Sequence, residues 1–398
     1  MRTLMARTIA SVAAVAVAVA MAALADTADT VRVSLITCYP GEEIYELYGH
    51  TMLRVVTPSE DVVYNYGVFD FHAPNFIYRF VKGETDYMVR AFPTAWSLRG
   101  YYGRKVVEQE LDLTPAQAMR AKTALEVNAL PENCTYRYNY VLDNCATRPR
   151  DIVEQATGGE LSYQPMPRVT TFRRLMWHYN ANYAWQRLGI DLALGSGLDY
   201  ELTYREQMFV PMILMEAFAG ATVERDGGAV PLVSGTRVLM DGSDDGAILP
   251  ATPWYCTPMA LAIVLLFAVA GATAADLRRR RTALWLDTLL YIAYGITGCV
   301  LFFLIFISTH EATSPNYSGL WLHPFYLILA ALLWIKPARK AAIALSAAVF
   351  AVNTLTLALW WALPQAANPA FFPLMAVPAV RALSYTLINS RPKKTRYT

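Results

Sequence analysis

The sequence predicts an α+β domain of about 230 residues held outside the cytoplasm, followed by an α-helical membrane bundle of about five spans. Three observations carry this: a signal-like N-terminus, a middle section mixing alternating strands with helical stretches, and long apolar runs after residue 256. Of the 398 residues, 55% are hydrophobic and only 17% charged, more apolar than an ordinary soluble chain.

At the N-terminus, Arg2 and Arg7 precede an apolar run over residues 9–23, and Ala23 and Ala25 supply the small residues of a signal-peptidase site. Cleavage before Asp26 removes a signal peptide of residues 1–25; an uncleaved anchor is the rival reading, and both export residues 26–255. The apolar runs 257–275, 284–308, 320–335, 341–363 and 370–388 then make a transmembrane domain of residues 256–390. Basic residues occupy every second connection: Arg278 to Arg281, then Lys336, Arg339 and Lys340, then Arg391, Lys393, Lys394 and Arg396. The loops 309–319 and 364–369 contain no Lys or Arg, so the positive-inside rule puts the domain before the first span outside and the 391–398 tail in the cytoplasm. With the basic excess used for topology, the net charge of +2 gives no support to nucleic-acid binding.

Within the exported part, residues 31–37 are β-rich, and residues 51–56 and 61–68 alternate on either side of Thr57-Pro58-Ser59-Glu60. A hairpin pairing Val56 with Asp61 sets Met52 opposite Asn65 and His50 opposite Gly67. Thr51, Leu53, Val55, Val62, Tyr64 and Tyr66 then face the core, while His50, Arg54, Asp61 and Asn65 share a polar face on which His50 and Asn65 are diagonal neighbours. Residues 106–113 form another strand, and Thr114-Pro115 opens a helix to about Leu130. Residues 136–142 read as extended and lead through Asp143-Asn144-Cys145 into a helix ending at Gly158-Gly159, whose regular part Pro149 confines to Thr147 onward. Helical stretches at 171–188 and 204–219 and a Gly-rich β segment at 226–240 complete the domain.

The chain contains no GxGxxG, Walker loop, CxxC, HExxH or GxSxG motif, so nucleotide, structural-zinc and common serine-hydrolase readings find no support, and no cofactor or metal is expected. The chemistry-bearing candidate is Cys145, at the approach to a helix N-terminus where the dipole and free N–H groups favour a thiolate. His50 is the candidate base and Asn65 the group that fixes its tautomer. The bland alternative is a buried cysteine acting as a small hydrophobe. Pairing Cys38 with Cys134 in a disulfide would leave Cys145 free, and Cys256 and Cys299 lie in or near lipid. His72 and His178 stand beside aromatics and read as packing residues.

Residues 48–54 (YGHTMLR) and 138–151 (YNYVLDNCATRPRD) together resemble the exported domain of Lnb-type lipoprotein N-acyltransferases. The resemblance covers most of residues 31–220, with further matching stretches at 64–71, at 79–83 (RFVKG), and at Thr309-His310-Glu311 through Asn316 to His323-Pro324. The order His then Cys is similar to circularly permuted papain-like folds of the NlpC/P60 kind. The resemblance implies transfer of an acyl chain from a membrane phospholipid, through a Cys145 thioester, to the α-amino group of a diacylated lipoprotein's N-terminal cysteine. It implies an inner-membrane protein with its catalytic domain in the periplasm. The oxyanion would be held by backbone N–H groups such as those of Cys145 and Ala146. Arg148, Arg150, His310, Glu311 and Asn316 are candidate headgroup or substrate contacts, each with an ordinary structural alternative, and Asp143 and Asn144 are candidate helix caps. Two other readings remain: a thiol peptidase, amidase or phospholipid hydrolase using the same Cys-His site, and a non-enzymatic membrane receptor or assembly factor binding through the aromatic-rich surface at residues 69–80.

Overall fold

The computed structural model describes residues 31–70, 74–164, 169–225, 227–243 and 250–390. The signal peptide, the 391–398 tail and His72 lie outside the described residues. Two compact units emerge, and they do not follow a boundary at residue 255. Among the described residues, one is drawn from 31–74, 85–168 and 202–249, the other from 75–84, 169–201 and 250–390.

The first unit is built on a sheet of seven strands: β1 (Arg32–Cys38), β2 (His50–Val56), β3 (Asp61–Val68), β4 (Asp86–Pro93), β5 (Val106–Leu111), β6 (Thr135–Arg137) and β10 (Val233–Met240), in the order β10-β5-β1-β2-β3-β4-β6. A second, three-stranded sheet joins β7 (Leu161–Ser162), β8 (Thr222–Arg225) and β9 (Gly228–Pro231). The hairpin register is the one the alternation predicts, with Val56 opposite Asp61 and Met52 opposite Asn65. The face bearing Leu35, Thr51, Leu53, Val55 and Tyr66 is buried. Helices α2 (Pro115–Ala129), α3 (Thr147–Ala156) and α6 (Pro211–Gly220) supply the packing against these strands.

The opposite face is less polar than its alternation suggests. Ile36, Cys38, Met52, Val63 and Val106 form a small core there, covered by Phe92, Leu98, Tyr101, Leu239 and Met240. Arg54 is satisfied beside it by Asp61 at 2.6 Å and Glu108 at 2.9 Å. Both sheet faces are therefore covered near His50, which decides the electrostatics of the site.

Helix α2 begins in a full capping box: Thr114 accepts from the Gln117 N–H, and the Gln117 side chain accepts from the Thr114 N–H. The extended reading of residues 136–142 is corrected, since the strand stops at Arg137 and Asn139 pairs with Asp143 in a tight loop. Asn139 Oδ1 accepts from the Val141 and Leu142 N–H groups, holding the backbone in a turn. The stretch 204–219 is two pieces, Tyr204–Gln207 and α6, with Pro211 opening the second.

In the second unit, α1 (Phe76–Lys82), α4 (Phe172–Tyr179) and α5 (Ala184–Ala193) accompany α7 (Pro258–Arg279), α8 (Leu284–Phe306), α9 (Phe325–Leu332), α10 (Arg339–Leu359) and α11 (Phe371–Asn389). Four helices among the described residues, α7, α8, α11 and the run Lys336–Ala362 that contains α10, are long and apolar enough to cross a membrane. The run 320–335 is not a fifth of that length: its α-helix has eight residues and starts only after Pro324.

Before α9 the backbone is irregular, with turns of 3₁₀ helix at Glu311–Thr313 and Tyr317–Leu320. It enters the bundle beside the middle of α8. A Cβ on Gly298 would stand 2.4 Å from the His323 carbonyl carbon, so only glycine permits this approach. At the other end of the segment, Trp334 Nε1 donates to Thr288 Oγ1 in the second turn of α8 at 2.8 Å. Arg339 donates to the Asn389 carbonyl at 2.6 Å, and Asn389 donates to Thr282 Oγ1 at 3.1 Å. The start of α10, the end of α11 and the α7–α8 turn thus share one end of the bundle, and that end carries the arginines at 278–281.

Candidate active site

The site begins with the hairpin. His50 opens β2, Asn65 lies near the end of β3, and pairing brings His50 Nε2 to 2.8 Å from Asn65 Oδ1. An amide oxygen only accepts, so the imidazole proton sits on Nε2 and Nδ1 keeps its lone pair. On the far side of β2, Cys38 stands directly opposite His50.

Cys145 comes to this place through the end of the same strand. Its sulfur is reached by the backbone N–H groups of Thr51 and of Cys145 itself. Gly67, two residues beyond Asn65 in β3, has φ +91, and a Cβ there would lie 3.9 Å from the Cys145 Cβ. Cys145 and His50 are both half-buried. Tyr138 borders Gly67, and its ring stacks on Tyr87 at 4.2 Å. Tyr48 meets Tyr140 edge-on at 5.4 Å, extending the aromatic wall.

The helix after Cys145 starts at Thr147, as Pro149 requires. Asn144 organises the start: its Oδ1 accepts from the Ala146 and Thr147 N–H groups at 2.8 and 3.0 Å, and its amide donates to the Tyr140 and Phe209 carbonyls. This overturns one expectation, because the Ala146 N–H is engaged and is no free oxyanion donor. The N–H groups at the sulfur are those of Thr51 and Cys145.

A second expectation is overturned with it. The thiol is not lowered toward neutrality; burial pushes it up to about 11, against a smaller opposing effect of the two N–H groups. Burial likewise pulls His50 down to about 4, against its bond to Asn65 and with the nearby Arg104 cation adding to the fall. The resting pair is a neutral thiol and a neutral imidazole. For a thiol reaction at this site, kcat/KM is therefore expected to be level from about pH 5 to about pH 10. It falls below that range as His50 protonates. A narrow bell centred near pH 7, or iodoacetamide labelling of Cys145 as fast at pH 5 as at pH 9, would show a preformed ion pair instead.

Tyr101 is a component that sequence reasoning missed. Its ring stacks on His50 at 5.9 Å and 16°, and its hydroxyl is hydrogen-bonded to the Asn65 side chain. Arg104 lies 5.2 Å over the same ring and is itself held by the Tyr39 carbonyl and Glu46 at 2.8 Å. No local motif marks Tyr101; only the fold brings residues 50, 65 and 101 together. Removing one bond of this kind costs about 1 kcal/mol, so Tyr101→Phe is expected to lower kcat roughly fivefold with little change in KM. Equal kcat values would remove Tyr101 from the site.

Cys38 and Cys134 are both free and buried. The disulfide expected between them is corrected by topology, because β1 and β6 are separated by three strands. At the usual strand spacing that is about 19 Å, far beyond disulfide reach. Burial holds the Cys38 thiol well above its ordinary value, and Cys145 is among its electrostatic neighbours.

Arg148 bonds both oxygens of Asp143 through its Nε and Nη2 and lies 4.2 Å over the Tyr136 ring. Arg150 is buried and engages Asp151 at 2.7 Å and the Arg205 carbonyl at 2.9 Å. In the second unit, His310 Nε2 is 2.7 Å from the Phe80 carbonyl, and Glu311 opens a 3₁₀ turn. Asn316 is buried, donating to the Leu192 carbonyl at 2.8 Å and accepting from Ser318 and Gln365. His178 packs edge-on against Tyr179 at 5.1 Å. Among the described residues no three His, Cys, Asp or Glu converge as a metal site.

Residues 22–177 match the family model described as the Lnb N-terminal periplasmic domain, and residues 251–393 match that of the Lnb transmembrane domain. The chain belongs to the Lnb family. No curated protein and no solved structure matches it. The Lnb assignment makes the chain a multi-pass membrane protein with a periplasmic-type domain, of a family tied to lipoprotein maturation. Every residue of the His50, Asn65, Tyr101 and Cys145 constellation falls within the first Lnb match. The stretch 178–250, which contains α5 and α6, lies between the two.

Proposed function

We propose that this Lnb-family protein transfers an acyl chain from a membrane phospholipid to the α-amino group of a diacylated lipoprotein's N-terminal cysteine. The supporting observation is the hydrogen bond between His50 Nε2 and Asn65 Oδ1: with the amide oxygen accepting from Nε2–H, Nδ1 keeps its lone pair as the base for a thiol set at the same strand end.

In the first half-reaction His50 Nδ1 accepts the Cys145 proton as the sulfur attacks the ester carbonyl carbon. The Cys145 N–H faces the developing oxyanion. The carbon–oxygen bond breaks, His50 returns the proton to the leaving alkoxide, and a lysophospholipid departs from the Cys145 thioester. In the second, the lipoprotein amine attacks the thioester and gives its proton to His50. The carbon–sulfur bond breaks, and the thiol is restored as the amide leaves. A thioester reacts with amines more readily than the oxygen ester it replaces. The tyrosines at 48, 87, 138 and 140 restrict water, the competing acceptor.

The basic end of the bundle is assigned to the cytoplasm of the inner membrane, and the segment 307–338 to a third pass. In support, the chain leaves α8 at one end and starts α10 at the other. Arg148 and Arg150 are assigned to holding the helix start, where their bonds engage them, and His310, Glu311 and Asn316 to the architecture of the second unit.

Purified protein incubated with phosphatidylethanolamine and a synthetic diacylated lipopeptide tests the reading by mass spectrometry. The expected result is an acyl adduct on Cys145 that chases into N-acylated lipopeptide. Release of free fatty acid with no N-acylated product would establish a hydrolase, and no adduct at all would remove the thioester.

A further inference from the structure

The connection between β3 and β4 contains α1, a short helix whose sequence, Phe76-Ile77-Tyr78-Arg79-Phe80-Val81-Lys82, is mostly apolar or aromatic. It lies inside the stretch matched as a periplasmic domain, yet it belongs to the unit that contains the membrane helices. Ile77 is 78% exposed, Tyr78 55% and Phe80 48%. Three large apolar residues so exposed on seven residues of helix are costly in water and mark an interaction surface.

The helix is fixed at a definite depth. Its last carbonyls, which lack i+4 helical partners, are met by the residues just after α8. His310 Nε2 meets the Phe80 carbonyl at 2.7 Å, Ser308 Oγ donates to that of Val81 at 2.9 Å, and the Thr309 N–H donates to that of Lys82 at 2.8 Å. Since α8 ends at Phe306, the C-terminus of α1 is tied to the level at which α8 ends. Tyr78 reaches further, with its ring 6.2 Å from Phe303, one turn back inside α8.

The exposed side chains of α1 therefore continue a lipid-facing surface already present on the transmembrane helix. Phe302, Phe306 and Ile307 of that helix end are exposed, and the Phe302 and Phe306 rings lie 4.7 Å apart. The charged groups of α1 are turned to a neighbouring loop. Lys82 pairs with Glu84 at 2.6 Å, and Arg79 donates to the Glu84 carbonyl at 3.0 Å. An aromatic and aliphatic face backed by cations is the composition of a helix lying in a membrane interface.

We propose that α1 is a monotopic membrane element. Ile77, Tyr78 and Phe80 insert among phospholipid acyl chains of the leaflet at the His310 end of the bundle, so that part of the nominally periplasmic domain lies within the bilayer. The occupant is lipid, not a second protein, because the exposed face is continuous with the lipid-facing surface of α8. The inference does not depend on the acyl-transfer reading.

Photoreactive benzoylphenylalanine placed separately at Ile77, at Tyr78 and, as a lipid-facing reference, at Phe302 tests it. The full chain is reconstituted in phosphatidylglycerol–phosphatidylcholine vesicles, irradiated and analysed by mass spectrometry. Adducts with the mass of one phospholipid, attached through its acyl chain, are expected at 77 and 78 in yields comparable to 302. Background yields at 77 and 78 while 302 labels, or adducts there to another polypeptide only, would overturn the proposal. Two positions on α1 keep the test valid if one variant fails to assemble.

Discussion

Cys145→Ser is expected to lower acyl transfer at least about 1,000-fold, which is ~4 kcal/mol on the barrier. The hydroxyl is a far weaker nucleophile, and its proton is harder for a neutral imidazole to remove than that of the thiol. The same exchange changes a single atom and leaves the Asn144 cap intact, so folding is expected to survive. His50→Ala removes the base and is expected to cost about 100- to 10,000-fold. The two losses should not add, because they disable one proton transfer. Lipopeptide N-acylation and hydroxylamine-labile acyl label on the protein are the measurements. A Cys145→Ser protein that sustains lipoprotein maturation at the normal rate would favour a receptor or assembly factor and end the thiol mechanism.

Arg173→Met is expected to destabilise the second unit by about 3–5 kcal/mol. Arg173 has no exposed surface, and each of its guanidinium nitrogens is hydrogen-bonded. It donates to Asp199 at 2.8 Å, Asp191 at 3.2 Å, the Gly195 carbonyl at 2.7 Å and the Leu194 carbonyl at 3.0 Å. Asp191 is itself buried and accepts from Trp177 at 2.8 Å and Asn368 at 2.9 Å. Removing the cation leaves two poorly solvated carboxylates, of which Asp191 keeps only the more distant Arg187 guanidinium at 3.9 Å. The network ties α4 and α5 to the loop before α11, so the loss should appear as a lower thermal midpoint and faster proteolysis within 169–201. An unchanged midpoint would mean that water replaces the guanidinium at no cost.

The hairpin and the helix starts were legible because each is a local contest. Four residues between Val56 and Asp61 admit one close pairing, and its register alone makes His50 and Asn65 neighbours. Thr114-Pro115 with Gln117 specifies a capped helix, and Pro149 cannot lie deep in one, so the starts at Pro115 and Thr147 follow from the chain. β4 was not legible: its burial is mixed, and the aromatic-rich stretch before it carries no alternation that leads into a strand.

The site was half legible for the same reason. Histidine and asparagine lie in one hairpin, but Tyr101 and Cys145 arrive from separate parts of the chain and carry no mark of their destination. The direction of the thiol's shift was misjudged because a helix dipole can be inferred from sequence, whereas the desolvation that outweighs it depends on what the fold packs around the sulfur.

By itself, the sequence determined the hydrophobic periodicities, the caps, the membrane segments and the placement of basic loops, all properties of neighbouring residues. Only the tertiary structure decided that both faces of the sheet are covered, that Ala146 spends its N–H on Asn144, and that the third apolar run is a half-length helix entered through irregular backbone. It also decided that Cys38 and Cys134 stand strands apart. These depend on packing between residues distant in the chain, where burial and geometry, rather than propensity, set the free energy.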